Sequence, residues 1–291
     1  MYTMPVSDPE ERAEVHQVND IGMSEDSIVE PAFIAAHLDD PGVRIVEVDV
    51  SPATYKAGHI PGAILWDAYA DLRHPDFSSI SDGELRDLFQ RSGIAADTTV
   101  VVYGYGAHLG YWLLNSCGHA HAKLMDGSRD RWLDAGHTWT TDIPVPTRSA
   151  YEFGSQTSLI ASRPDVLAMV EERSGVIVDV RSEAEYSGAD FWPSGAPQAA
   201  GRAGHIPGAI HLPVDELRTS DGAFTDIEAM KRVLREQAID PSAQIVTYCT
   251  IGNRASQVWY ALTVLLGYPN VRVYYGSWVE WGLDPESTID T

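Results

Sequence analysis

An identical heptapeptide occurs twice in this chain. Gly58-His59-Ile60-Pro61-Gly62-Ala63-Ile64 returns 146 residues later as Gly204-His205-Ile206-Pro207-Gly208-Ala209-Ile210. Three further blocks recur in the same order: Ile45–Asp49 parallels Ile177–Arg181, Val101–Gly104 parallels Val246–Cys249, and Asp126–Trp132 parallels Tyr275–Trp281. Four matched blocks in one order identify a duplicated domain, and the period is far too long for a solenoid.

Each copy alternates strands with helices. Val43–Val50, Thr99–Tyr103, Val176–Val180 and Gln244–Tyr248 are short, nearly continuous apolar runs, as expected of strands buried on both faces of a parallel sheet. Asp82–Gly93 and Ile227–Gln237 carry helical patterns, with Asp82 and Asp226 as expected N-caps and Gly93 and Gly118 where helices end. The fold class expected is α/β, with two tandem domains, each a mainly parallel sheet with helices on both faces. The expected organisation is an acidic tail (1–25), a first domain (26–143), a linker rich in Pro, Ser and Thr (144–158) and a second domain (159–291). The strands are offset by 132 residues and the heptapeptides by 146, so the second copy carries 14 extra residues, placed at 188–202. That insertion either shapes a substrate entrance or is a tolerated surface loop.

The chain has 291 residues and a formal net charge of −22, which disfavours nucleic acid and anionic membranes as partners. No apolar run is long enough to span a bilayer, and the first 25 residues lack a signal-peptide core. A cytoplasmic protein is expected. Two cysteines, Cys117 and Cys249, form no disulfide framework and fit a reducing compartment.

Cys249 directly follows the strand Gln244–Tyr248. The loop Thr250-Ile251-Gly252-Asn253-Arg254 comes next, and then a helical run over about Ala255–Leu266. Open α/β sheets bind ligands at such strand ends. A tight loop with Gly252 can turn backbone N–H groups inward, and the next helix points its positive end at the same spot. Arg254 adds a full charge. A cradle of this kind favours an anion, and thiolate is the reactive form of cysteine. The alternative for Cys249, a buried structural thiol, fits poorly with a strand end before Gly and Arg. Cys117, within the apolar stretch Tyr111–Cys117 and with no flanking cation, reads as core.

With these residues in hand, the chain resembles the tandem-domain rhodaneses, the thiosulfate sulfurtransferase family, in their bacterial long form. The resemblance rests on the twin Gly-His-Ile-Pro-Gly-Ala motifs, Asp179-Val180-Arg181-Ser182, the Cys249–Arg254 loop and Gly276-Ser277-Trp278-Val279-Glu280-Trp281, and it covers about Ile28 to Leu283. It implies a ping-pong sulfur transfer through a Cys249 persulfide, from thiosulfate to cyanide or a thiol acceptor. It also implies that the amides of Thr250 through Arg254 hold the persulfide. By the same resemblance Arg181 sits near the loop, on the leaving sulfonate or bracing its base. Ser256 either reaches the sulfur or caps its own helix. Asp179, His205 and Trp278 are expected in support. No metal or organic cofactor is required, and a protein sulfur acceptor stays open.

The duplication is an internal control. Gly104 stands where the second copy has Cys249, and Asp49 where it has Arg181. The first loop–helix segment is also four residues shorter, so the first copy is expected to be non-catalytic. Its His59 matches His205, which favours a shared turn-bracing role over proton transfer. His119, His121 and His137 lack a thiolate or carboxylate at ligand spacing and read as solvated or turn histidines. Trp281 matches Trp132 and reads as core, while Trp278 has no counterpart. Two other classes compete with sulfur transfer. Phosphatase or arsenate chemistry would need five residues between Cys and Arg, and here only four intervene. A non-enzymatic binding or regulatory module is disfavoured by the retained Cys, Gly and Arg. Thr250 stands where thiosulfate enzymes often carry Arg, so a modest affinity for thiosulfate is expected. The mercaptopyruvate branch remains the alternative, although its Ser-Gly-Val triplet is missing.

Overall fold

The computed structural model describes residues 27–127, 129–153, 159–191, 201–220 and 222–291. The acidic tail, the end of the linker and positions 192–200 of the insertion lie outside the described residues.

The strands, in chain order, are β1 (Ile28–Val29), β2 (Val43–Asp49), β3 (Ile64–Asp67), β4 (Thr99–Tyr103), β5 (Ala122–Met125), β6 (Ile160–Ala161), β7 (Val176–Asp179), β8 (Ile210–His211), β9 (Ile245–Tyr248) and β10 (Val271–Tyr274). They form two five-stranded sheets of one topology, β1-β5-β4-β2-β3 and β6-β10-β9-β7-β8. All the pairings are parallel. The expected apolar runs are these central strands, shortened by one residue at an end in three of four cases.

Successive strand residues go to opposite faces, and each face meets helices. Val46, Val48, Val100 and Val102 pack with Leu85, Leu88 and Phe89 of the helix Asp82–Arg91. Ile45, Val101 and Tyr103 instead pack with Ile34 and Trp132 of the helices Pro31–Ala36 and Arg131–Asp134. The second domain repeats this. Ile177, Val246 and Tyr248 pack with Val166 and Met169, while Val178, Ile245 and Val273 face Met230, Leu234 and Val258. The Val46 face and the Val178 face belong to one continuous apolar core. The domains are therefore joined by their cores. Tyr111 and Trp112, on the helix Ala107–Ser116, reach Trp259, Tyr260 and Tyr275 of the second domain.

Local corrections are physical. Ser81, not Asp82, caps the helix Asp82–Arg91, because Ser81 and Glu84 form a capping box. Asp226 caps its helix as expected. The run expected over 255–266 is an α-helix from Asn253 to Tyr260, continued by a π-turn from Ala261 to Leu265. His119 is not solvated. It is buried, and its ring nitrogens contact Thr98 O (2.8 Å) and the Tyr151 hydroxyl (3.1 Å). No helix among the described residues is long and apolar enough to cross a membrane.

Candidate active site

The chain runs β7 to β8 on one side of the second sheet, then crosses to β9 and β10 on the other. That reversal puts the ends of β7 and β9 side by side, where open α/β sheets form crevices. Cys249 follows β9 at this point and is only 1% exposed. Its backbone is fixed from the helix Ser277–Leu283: Trp278 N donates to Cys249 O at 2.9 Å and Val279 N to Thr250 O at 3.1 Å. Cys249 N donates to Ser277 Oγ at 3.4 Å.

The loop turns at Gly252, whose φ of +94° is left-handed. A Cβ there would lie 2.8 Å from the Tyr275 ring, so shape and conformation both require glycine. The turn aims Gly252 N at Cys249 Sγ, 3.1 Å away. The helix Asn253–Tyr260 begins at the next residue with no side-chain cap, leaving its positive end towards the loop.

Arg254 does not stand free beside the sulfur. Nη1 and Nη2 donate to Glu185 Oε2 and Oε1, each at 2.7 Å, and Nη2 also reaches Thr250 Oγ1 at 2.7 Å. Thr250 Oγ1 donates to Glu185 Oε1 at 2.7 Å. Burial opposes both charges. For Arg254, the hydrogen bonds to Glu185 and the nearby Cys249 sulfur outweigh it and raise the guanidinium above its ordinary range. For Glu185, the hydrogen bonds and charge of Arg254, with Thr250 and Ser182, bring the carboxyl down to about 2.

Beneath the loop, Arg181 is fully buried and grips Asp179 through Nε (3.0 Å) and Nη2 (2.6 Å). Nη2 also donates to Gly204 O at 2.6 Å, and the guanidinium lies 4.5 Å over the Trp278 ring. All these contacts of Arg181 are to groups of the second domain's own scaffold. Trp278 is also fully buried. The Tyr248 hydroxyl donates to Asp179 Oδ2 at 2.5 Å and accepts from Ile206 N at 3.1 Å, tying the second heptapeptide to the central strands. His205 stacks on Tyr186 at 3.7 Å, with Nδ1 2.9 Å from Tyr186 O. Ser256 turns back on its helix, its hydroxyl donating to Asn253 O at 2.7 Å. Asn253 and Ile251 are buried within the loop.

The first domain repeats the scaffold without a cysteine at the strand end. The Tyr103 hydroxyl donates to Glu47 and accepts from Ile60 N, as Tyr248 does with Asp179 and Ile206. His59 stacks on Tyr55 at 3.8 Å, as His205 does on Tyr186. At the strand end, however, stands Gly104.

Sequence reasoning missed Glu185, Arg73 and Tyr275. Glu185 precedes the tyrosine that stacks on the motif histidine, and the first copy has Thr54 at that point, a difference visible in the repeat. Leu72-Arg73 likewise matches Leu217-Arg218, and Arg73 and Arg218 each form an isolated bridge, to Ser79 and to Phe224.

Two segments, 30–135 and 162–284, match the family model described as "Rhodanese-like domain". The chain belongs to the rhodanese family. A Thermus thermophilus relative named "Sulfur carrier protein TtuD" is 40% identical over 267 residues, 88% of this chain and 93% of its own. A Mycobacterium bovis relative named "Putative thiosulfate sulfurtransferase SseA" is 39% identical over 263 residues, 88% and 87%. Among solved structures, an anaerobic ergothioneine biosynthesis enzyme from Chlorobium limicola superposes with a TM-score of 0.81. It is 24% identical, covering 91% of this chain and 70% of that one, and the likeness carries the fold. The chain is a rhodanese-family sulfurtransferase with two tandem rhodanese-like domains.

Proposed function

We propose that the chain carries sulfane sulfur as a persulfide on Cys249, taking it from thiosulfate and passing it to cyanide or a thiol, with the first domain taking no part in covalent chemistry. The observation that carries this reading is the Gly252 amide directed at Cys249 Sγ from a loop that opens a helix. Anionic sulfur is the species such a donor favours.

In the first half-reaction, the Cys249 thiolate attacks the outer sulfur of thiosulfate. The new S–S bond forms as the old one breaks, and sulfite leaves with the electron pair. In the second, the acceptor attacks the outer sulfur of the persulfide, and Cys249 departs as thiolate. Loop amides can hold either anion, because the charge only moves outward by one atom. The names of the relatives support both a thiosulfate donor and the carriage of sulfur. The shortage of free positive charge, with Thr250 in place of Arg and Arg254 paired to Glu185, argues for modest thiosulfate affinity. The mercaptopyruvate alternative is disfavoured by the loop itself, which carries Ile251-Gly252-Asn253-Arg254 and no Ser-Gly-Val triplet.

Intact-mass spectrometry after incubation with thiosulfate tests the proposal. One added sulfur, located on Cys249 and discharged by cyanide, is expected. A sulfur found elsewhere, or a much faster reaction with 3-mercaptopyruvate, would overturn it.

A further inference from the structure

The loop around Cys249 is gripped from the other domain. Arg73, 3% exposed, donates through Nη2 to Ile251 O and to Tyr275 O (2.6 Å), and through Nη1 to Ser79 Oγ at 2.9 Å. Its guanidinium lies 3.8 Å over the Tyr275 ring, the same ring that leaves room only for glycine at 252. The Tyr275 hydroxyl donates back across the interface to Leu72 O at 2.8 Å.

The Ile251 carbonyl and the Gly252 amide belong to one peptide unit. A trans peptide is planar, and its C=O and N–H point in opposite directions. One rigid plane therefore has Arg73 at its oxygen end and Cys249 Sγ at its nitrogen end, 3.1 Å from the amide. A cation on the oxygen polarises the plane and makes the N–H a stronger donor. The charge bookkeeping points the same way. Arg254 is neutralised by Glu185, whereas no carboxylate among the described residues lies within ion-pair distance of Arg73. A buried guanidinium without an acidic partner is costly, and neutral groups satisfy this one: the carbonyls of Ile251 and Tyr275, the Ser79 hydroxyl and the Tyr275 ring.

We infer that Arg73 of the first domain is a positioning residue for the sulfur chemistry of the second, fixing and polarising the peptide that holds the Cys249 anion. The first domain then completes the cradle, which accounts for two domains sharing one core around a single reactive thiol. The inference rests on Cys249 being the sulfur-carrying residue.

The experiment compares the wild-type chain with Arg73→Met, Arg73→Lys and Tyr111→Leu, the last loosening the same interface away from the loop. Stopped-time alkylation of Cys249 by iodoacetamide at neutral pH and single-turnover persulfide formation from thiosulfate are measured beside thermal stability. Arg73→Met is expected to slow both reactions about tenfold, the scale of one hydrogen bond to a charged group. Arg73→Lys is expected to recover part of the loss, and Tyr111→Leu to lower stability while reacting at the wild-type rate. Arg73→Met reacting like wild type, or no faster in Arg73→Lys, overturns the inference. If Arg73→Met does not fold, Arg73→Lys against Tyr111→Leu decides, and equal rates in those two overturn it. A wild-type chain that gains no sulfur on Cys249 defeats the proposed function instead, and is told apart by the wild-type arm alone.

Discussion

Glu185 accepts hydrogen bonds from both terminal nitrogens of Arg254 at 2.7 Å each, and Arg254 ends the loop that begins at Cys249. The cation expected to draw an anionic donor is thus already paired, inside a chain whose net charge is −22. Glu185→Gln keeps an acceptor for Arg254 and removes the negative charge. The KM for thiosulfate is expected to fall roughly tenfold, as one less repulsive charge near a dianion allows at intermediate dielectric. Stability should drop by roughly 3 kcal/mol, because Arg254 loses its counter-ion. A KM that rises in steady-state assays would show that the pair serves only to hold the loop.

The same pair sets an acid limit. Glu185 is held at about 2, below its ordinary 4.5, chiefly by Arg254 acting against burial. A depressed carboxyl stabilises the folded state fully above its unfolded value and loses that contribution as pH falls through the folded one. The window is therefore pH 4.5 down to 2, and the amount is roughly 3 kcal/mol. Chemical denaturation at stepped pH should show wild type losing this stability across the window while Glu185→Gln stays flat there. Parallel curves would contradict the assignment.

The repeat made most of the fold legible. Parallel strands declared themselves as apolar runs because both faces of each sheet are covered, and Gly104 opposite Cys249 marked the copy without the thiol. Arg254 was visible, but its partner was not: Glu185 comes from a helix 69 positions earlier, and nothing local in Ser182–Glu185 beyond a capping box marks it. Arg181 and Trp278 stand out by motif and lie fully buried, Arg181 paired to Asp179. Arg73 was hidden as Glu185 was. A contact between residues 73 and 251 exists only once the two domains have shared a core.

Cys117 and Cys249 are both buried, yet they should behave oppositely. Burial pushes the Cys117 thiol up to about 12, and it sits in the apolar core at the end of the helix Ala107–Ser116. Cys117→Ser should retain full transfer and cost at most about 2 kcal/mol for a buried hydroxyl. Cys249→Ser should abolish transfer and leave stability within about 1 kcal/mol, because Ser277 and Trp278 hold its backbone rather than its side chain. Sulfur-transfer assays with thermal melts on both variants decide the matter, and a folded Cys117→Ser without turnover would reverse it.

Restoring a thiol to the first domain should not restore chemistry. Gly104 has φ +98°, and a Cβ there would lie 2.8 Å from Val48 O, so Gly104→Cys forces strain of about 1–3 kcal/mol before any reactivity is gained. The following residues offer no remedy. Gly106 packs against Val48, where a Cβ would meet Cγ1 at 2.7 Å, so the loop is drawn down onto β2 rather than wrapped around a sulfur. Thr54 stands in place of Glu185, and no arginine follows within the loop. In a Cys249→Ser background, Gly104→Cys is therefore expected to fold with reduced stability and to gain no sulfur from thiosulfate by intact mass. A persulfide on position 104 would mean that any thiol at the end of this central strand suffices, and that loop geometry does not select the reactive copy.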